Sequence, residues 1–430
     1  MTVLLRRITI AAVLMSAAAP RASAQALTID QLVTAAIDRS PEIQAARAEA
    51  GAAQGQVMQA RLRPNPMVMA TRQEELGGSG YQSMASVAWP LELFRRPARI
   101  TAALREADVA AVSVLDRERL LAAAIRGQAG RLLAARRTLA VSNDALTAAR
   151  QLSDLLARRA AEGAIPQLEA NQAAIETWRI EAEQVMAAGE SEAALIELKA
   201  MVGLQPDAPL ELSDSLEAVV RRRAGEAISN RVTIDQAPGG RVRPDVQEAA
   251  ARVALADAQV AAARSEGRTD ASIQAGYAGM RSGFPLRAFD GAGLLAPIDD
   301  TFHSLQIGAT LVLPLWNRNQ GAIASAESTR SSASLSLAAR ELTARAENDS
   351  AMVRARDASR AVDLYAVSIR DLARHDTDTI SEAYALGGVP LMDVIDSRRR
   401  AFDLEQAYTA ALVRAYEAQV ALRAARGEVR

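Results

Sequence analysis

The chain has 430 residues, half of them apolar but only 3% aromatic, and a formal net charge of −1. That length exceeds one ordinary globular core, and the near-neutral charge leaves no electrostatic footprint for nucleic acid. Cysteine is absent, which excludes disulfides, thiolate metal ligands and an N-terminal lipid anchor.

In chain order, Arg6 and Arg7 precede an apolar run from Ile8 to Ala19 and then Ala22-Ser-Ala24, a small-x-small cleavage pattern. Residues 1–24 therefore read as a signal peptide and the protein as exported. No later run reaches the roughly 18 uninterrupted apolar residues of a transmembrane helix. Thr28-Ile-Asp30 offers an N-cap, and Leu32, Ala35, Ala36, Ile43, Ala46 and Ala50 follow at helical spacing. This predicts a helix broken near Ser40-Pro41 and resumed to about Leu62. Beyond Pro64-Asn-Pro66 the period changes to alternation, over Met67 to Ala70 and over Tyr81 to Trp89, around Leu76-Gly-Gly-Ser-Gly80. Such a pattern predicts a hairpin of two strands about ten residues long.

A long helix is predicted from about Pro97 to Ala161, extending roughly 100 Å at 1.5 Å per residue. Ile125, Leu132, Leu139 and Leu146 fall seven apart, with Leu121, Ala135, Ala149 and Leu156 at complementary positions. That seam should pack against a helix returning over 167–202 after the break at Gly163-Ala-Ile-Pro166. Residues 206–240 interrupt the pattern with Pro206, Pro209, Pro238, Gly239 and Gly240 around Arg221-Arg-Arg223, which reads as a solvated charged face.

The pattern then recurs: Pro90 maps to Pro314, Gly163 to Gly387, Pro166 to Pro390, Trp178 to Phe402 and Gly203 to Gly427, all at an offset of 224 residues. Arg243-Pro-Asp-Val-Gln247 echoes Ser40-Pro-Glu-Ile-Gln44 at an offset of 203. Strands are predicted over Ala271 to Ala278 and Ser304 to Leu313, with the 21 extra residues in a solvent loop around Pro285 to Asp300. Proline costs about 3 kcal/mol inside a helix, so the proline-free runs flanking Gly387-Gly-Val-Pro390 predict a second long helical hairpin. The domains are thus repeat 1 over 25–205, an equatorial linker over 206–240 and repeat 2 over 241–430. The fold class is mainly α with a small β part.

Four strands of this length, apolar on one face and small or polar on the other, suit a membrane β-barrel but cannot close one alone. Open edges are forbidden in lipid, so three copies supplying twelve strands are expected if the strands cross a membrane. A soluble sheet packed on helices is the other reading.

The mature chain resembles the TolC-type outer-membrane efflux proteins, through Leu27-Thr-Ile-Asp30, Arg39-Ser-Pro-Glu42, the paired hairpins, the twofold repeat and above all Tyr384-Ala-Leu-Gly-Gly-Val-Pro-Leu-Met-Asp-Val-Ile-Asp396. Arg63-Pro-Asn-Pro66 and the Leu-Phe-Arg-Arg run after Trp89-Pro90 are most similar to the branch serving heavy-metal and other cation pumps of the resistance-nodulation-division (RND) class. The resemblance implies a homotrimer in the outer membrane, a short β-barrel and a long periplasmic α-barrel, working with a periplasmic adaptor and an inner-membrane RND pump. It implies an entrance or gate formed by Asp393, Asp396, Glu169 and Tyr384, and adaptor-docking tips at Gly163, Ala164, Ile165 and Pro166 and at Gly387, Gly388, Val389 and Pro390. Val389 stands where well-studied relatives carry a locking arginine, which implies a gate held by other contacts.

No catalytic constellation is present: there is no His-Glu-x-x-His, Gly-x-Ser-x-Gly or phosphate loop. The expectation is therefore a duct with no enzymatic activity, no cofactor and no metal site. His303, at a predicted strand start, and His375, in a charged helical stretch, read as surface residues. A drug-efflux or type I secretion duct of the same family, or an elongated secreted coiled-coil protein, are the alternatives.

Overall fold

A computed structural model describes residues 26–76, 80–222, 243–289 and 291–429. The predicted signal peptide and much of the 206–240 linker, including Arg223, lie outside the described residues. Two short helices, α1 (Ile29–Arg39) and α2 (Pro41–Arg61), open the chain. Thr28 caps α1 in a reciprocal box with Gln31, and Ser40 caps α2 with Pro41 in its first turn. Strands β1 (Met67–Glu74) and β2 (Tyr81–Pro90) follow.

Helix α3 (Arg95–Ala161, 67 residues) extends about 100 Å, and α4 (Gln167–Val202) returns along it. It starts just before Pro97 because proline in a first turn removes an amide that has no helical acceptor. A short helix α5 spans 216–222. The second half runs α6 (Pro244–Glu266), β3 (Asp270–Phe289), β4 (Leu295–Val312), α7 (Gln320–Leu364), a π-helical turn (Tyr365–Ile369), α8 (Arg370–Ala385) and α9 (Leu391–Ala425).

The four strands form one antiparallel sheet in the order β1-β2-β3-β4. The solvent loop predicted around Pro285 to Asp300 is instead mostly strand: β3 and β4 stay paired up to Phe289↔Leu295. Pro285 is tolerated because the register shifts between Phe284 and Arg287, so its missing N–H breaks no regular ladder. His303 accordingly lies well inside β4 and not at a strand start.

The main core sits partway along α3, where Ile29, Leu32 and Ile37 of α1 meet Ile125, Leu132, Leu198, Leu216, Tyr408, Leu412 and Tyr416. The part of the 206–240 linker that is described contributes to it, through Leu210, Leu212, Leu216, Val219 and Val220. Arg126, 1% exposed, donates to Asp30 Oδ1 at 3.1 Å and to the Val429 carbonyl at 3.1 Å, so it ties together α1, α3 and the end of the chain. Tyr416 Oη donates to the Arg126 carbonyl at 2.8 Å, and its ring lies over Gly130, where a Cβ would fall 2.2 Å from Cε1.

The residues after Trp89-Pro90 act at the junction between helix and sheet. Arg96 and Arg99 donate to the carbonyls of Ala60, Arg61 and Leu62, the unpaired C-terminal acceptors of α2. Trp89 Nε1 donates to the Pro64 carbonyl at 3.1 Å.

Candidate functional site

Both helical hairpins reverse with the same local chemistry. Gly163 and Gly387 take φ of +75° and +76°, a left-handed conformation that favours glycine. Ala164 N–H donates to the Arg159 carbonyl at 2.9 Å, and Gly388 N–H to the Ala383 carbonyl at 2.8 Å, which closes each helix with a Schellman turn. Pro166 and Pro390 then stand extended before α4 and α9. Ala164, Gly388 and both prolines are exposed, and Ile165 and Val389 are half-buried.

Just behind the tips, Leu156, Ala170, Ala173, Leu391 and Ile395 form a small apolar cluster with Ile165 and Tyr384 packed against it. This joins the two hairpins. Tyr384 Oη donates to Glu169 Oε2 at 3.2 Å across the junction. Burial and the Glu169 carboxylate hold the phenol above its ordinary pKa. Tyr384 and Glu169, 215 positions apart, are therefore neighbours. Asp393 is exposed and Asp396 half-buried on α9, and within the chain neither is drawn into this contact.

Behind the tip the hairpins separate around a cavity of about 530 Å³, lined among others by Ala148, Leu152, Thr377, Ser381, Arg398 and Phe402. Arg398 donates to the Ala148 carbonyl at 2.9 Å, and burial lowers its pKa. At the far end Glu405 accepts from Arg137 at 3.1 Å and from Arg370 at 2.7 Å, and the two guanidinium groups flank the Tyr408 ring at 5.0 and 4.6 Å from its centroid. Burial is the main influence on Arg137 and lowers its pKa. Sequence reasoning missed this cluster, since it joins helices that no local pattern relates.

The sheet has two unlike faces. The register places Val68, Val87, Ala275 and Ile307 side by side, and next to them Ala70, Ala85, Tyr277 and Leu305. Leu305 and Ile307 are 75% and 83% exposed, so this face is an apolar surface that the chain itself leaves uncovered. Tyr277 Oη and His303 Nδ1 lie 2.5 Å apart on the same face, their rings stacked. The opposite face carries Gln82, Ser86, Gln274, Ser304 and Gln306. Neither outer edge, β1 or β4, has a partner strand within the chain. Among the described residues no helix is long and apolar enough to cross a membrane, and no group of three or more His, Cys, Asp and Glu side chains could hold a metal.

A sheet with one apolar face, mounted on helical hairpins of this length, defines the class of outer-membrane ducts. Residues 32–204 match the outer membrane efflux protein family, and the chain is an outer-membrane efflux channel of that family rather than an enzyme. Over 309 residues it is 26% identical to the cobalt-zinc-cadmium resistance protein CzcC of Cupriavidus metallidurans, covering 71% of this chain and 68% of that protein. The fold is similar to that of CusC, with a TM-score of 0.73 at 15% identity, covering 93% of this chain and 92% of the other. It is also similar to the outer membrane protein VceC of Vibrio cholerae, with a TM-score of 0.71 at 18% identity over 93% and 96% of the two chains.

Proposed function

We propose that three copies of this chain close a twelve-stranded barrel in the outer membrane, and that their hairpins form an α-barrel reaching into the periplasm. The observation that carries this is the four-stranded sheet with an uncovered apolar face and two open edges. Each unpaired backbone group in lipid costs several kcal/mol, so the edges must be paired by other copies. In an antiparallel sheet of this order β1 and β4 run in opposite directions, so β4 of one copy can pair antiparallel with β1 of the next. Exposed Leu168, Ile175, Trp178 and Val185 on α4, with Leu335, Leu342 and Leu372 on α7 and α8, support lateral contacts between copies.

The trimer works as the exit duct of a tripartite system with a periplasmic adaptor and an RND pump, and its cargo is heavy-metal cations, a reading supported by the likeness to CzcC. The domain plan is two repeats, 25–205 and 241–430, joined by the 206–240 linker. The adaptor's helical ends pack on the tips at Gly163–Pro166 and Gly387–Pro390, which crosslinking from Ala164 checks. The entrance is lined by Asp393 and Asp396, six carboxylates in a trimer, with Tyr384 and Glu169 latching the hairpins behind them.

Ile307→Arg tests the assembly. A charge on the lipid face at mid-bilayer costs about 2–4 kcal/mol, so the variant should lose both heat-resistant trimers and outer-membrane insertion. Normal insertion would overturn the face assignment. In planar-bilayer recordings the parent should select cations and be blocked by multivalent ones, because clustered carboxylates raise the local negative potential. D393A/D396A should weaken both properties and leave the trimer intact, and unchanged selectivity and block would remove these aspartates from the entrance.

A further inference from the structure

All four methionines of the sheet, Met67, Met69, Met84 and Met280, lie on its polar face. The register sets them in order. Met67 pairs with Ala88, which faces Gln274. Two residues on, Met69 pairs with Ser86. The next pair of rows brings Met84 opposite Thr71 and Ala278, and the next brings Met280 opposite Gln82 and Phe302. Each second row therefore holds one methionine, climbing from β1 through β2 to β3. Successive rungs are about 7 Å apart along the strands and the whole ladder is about 20 Å long, at 3.2–3.4 Å per residue. Met69 and Met84, and then Met84 and Met280, are diagonal neighbours, about 7–8 Å apart and within reach of long side chains. Met67, Met69 and Met280 are 63%, 54% and 42% exposed, so these thioethers are not packed into a core. The other side chains of these rows are glutamine, serine, threonine, small residues and Phe302, with no charge among them.

We infer that this ladder is a contact path for soft monovalent d10 cations, Cu(I) or Ag(I), along the inside of the barrel. The inference rests on the channel reading above, which turns the apolar face to lipid and this face to the lumen. A thioether is a soft, neutral donor that suits Cu(I) and is a poor ligand for zinc or cobalt. It has no proton to lose in the physiological range, so its affinity does not fall in mildly acidic surroundings as an imidazole site's does. One thioether per row beside amide and hydroxyl oxygens makes a weak site. Weak sites repeated at short intervals let an ion enter and also leave, which conduction requires.

The test uses the full-length protein in detergent and in planar bilayers, with silver nitrate in nitrate electrolyte as the probe. The variant M67L/M69L/M84L/M280L keeps side-chain volume nearly constant, and M58L/M352L removes methionines of the helical region as a control. Silver retained after equilibrium dialysis should fall sharply in the sheet variant and stay at the parent level in the control, with zinc retention the same in all three. Silver block of each protein's own potassium current should need about tenfold more silver in the sheet variant. If the fourfold variant does not fold, M67L/M69L and M84L/M280L made separately should each give part of the loss. Parent-like silver retention and block in the sheet variants would overturn the inference while leaving the channel reading intact. Methionine-dependent silver retention by a protein that forms no channels would do the reverse.

Discussion

Helices α3 and α7 hold the same place in the two halves but differ in what they bury. α3 buries Ile125, Leu132, Leu146, Leu156 and the whole of Arg126, whereas α7 buries only Ala351, Ala355 and Val362, and α8 buries nothing among the described residues. The helices also differ in continuity, since the π turn at Tyr365–Ile369 corresponds to residues 141–145 in the middle of unbroken α3. One hairpin is thus built into the chain's own core, and the other is an outer wall jointed next to Arg370 and Tyr408. A duplicated helical plan does not need duplicated packing. The half that closes the core within the chain carries its stability, and the half left exposed presents leucines at positions where another copy can cover them.

Equivalent positions test this contrast directly. Gly130 and Arg354 are 224 residues apart, and they should show the largest difference. A Cβ at Gly130 would fall 2.2 Å from the Tyr416 ring, which is itself buried at 1% exposure and cannot swing away. Overpacking of that kind costs about 1–3 kcal/mol, so Gly130→Ala should lower the unfolding midpoint and the yield of folded protein. Arg354 is exposed on α7, and its replacement by alanine should stay within about 0.5 kcal/mol. Equal losses at both sites would mean that α7 is as deeply packed as α3.

Glu405 and Glu181 make the same comparison for charge. Glu405 is shared by Arg137 and Arg370 around Tyr408, with side chains 16% to 21% exposed, while Glu181 pairs with Arg150 at 2.8 Å and both are about half exposed. Removing Glu405 leaves two confined guanidinium groups without their shared acceptor, and Glu405→Ala should cost about 2 kcal/mol. Glu181→Ala should cost at most about 0.5 kcal/mol, because solvent already screens the pair. Thermal unfolding in detergent at two salt concentrations separates them, since only the exposed pair weakens measurably with salt.

These contrasts also mark what the sequence could reveal. Proline and glycine placed both hairpins because their effects are local: a ring that cannot enter a helix, and a φ near +76° that closes one. Alternation placed the strands and their apolar face for the same reason. The π turn left no such trace, as nothing in Tyr365-Ala-Val-Ser-Ile369 forbids an ordinary α-helix and its cause is packing on Tyr408. The long β3–β4 hairpin was read as loop because Pro285 and Asp299-Asp300 look like turn chemistry, although the bulge beside Pro285 absorbs it. At the candidate entrance, the family motif named Tyr384 and Glu169 separately, but only tertiary structure reveals that one donates to the other. A metal search confined to histidine and cysteine could not find the methionines, whose common face depends on register across three strands.

The smallest expected effect concerns the point where the two unlike hairpins meet. Tyr384→Phe removes the donor to Glu169 and keeps the ring in its apolar cluster, so the loss is one partly buried hydrogen bond, about 0.5–1.5 kcal/mol. Global stability should barely move, since the main core lies far along α3 from the tip. The occupancy of the open state should change more visibly, because 1.4 kcal/mol is about a tenfold shift in an equilibrium between two states. Single-channel recordings of Tyr384→Phe should show longer or more frequent open periods at neutral pH. The phenol's pKa is raised above its ordinary value of 10.0, so the donor stays protonated through neutral and mildly alkaline solution, and its contribution disappears only as pH rises through that elevated value. Raising the pH of the parent within the mildly alkaline range should therefore not reproduce the variant. If parent and variant open equally often, the 3.2 Å contact is a packing detail, and the hairpins are held together by the cluster around Leu391 and Ile395 alone.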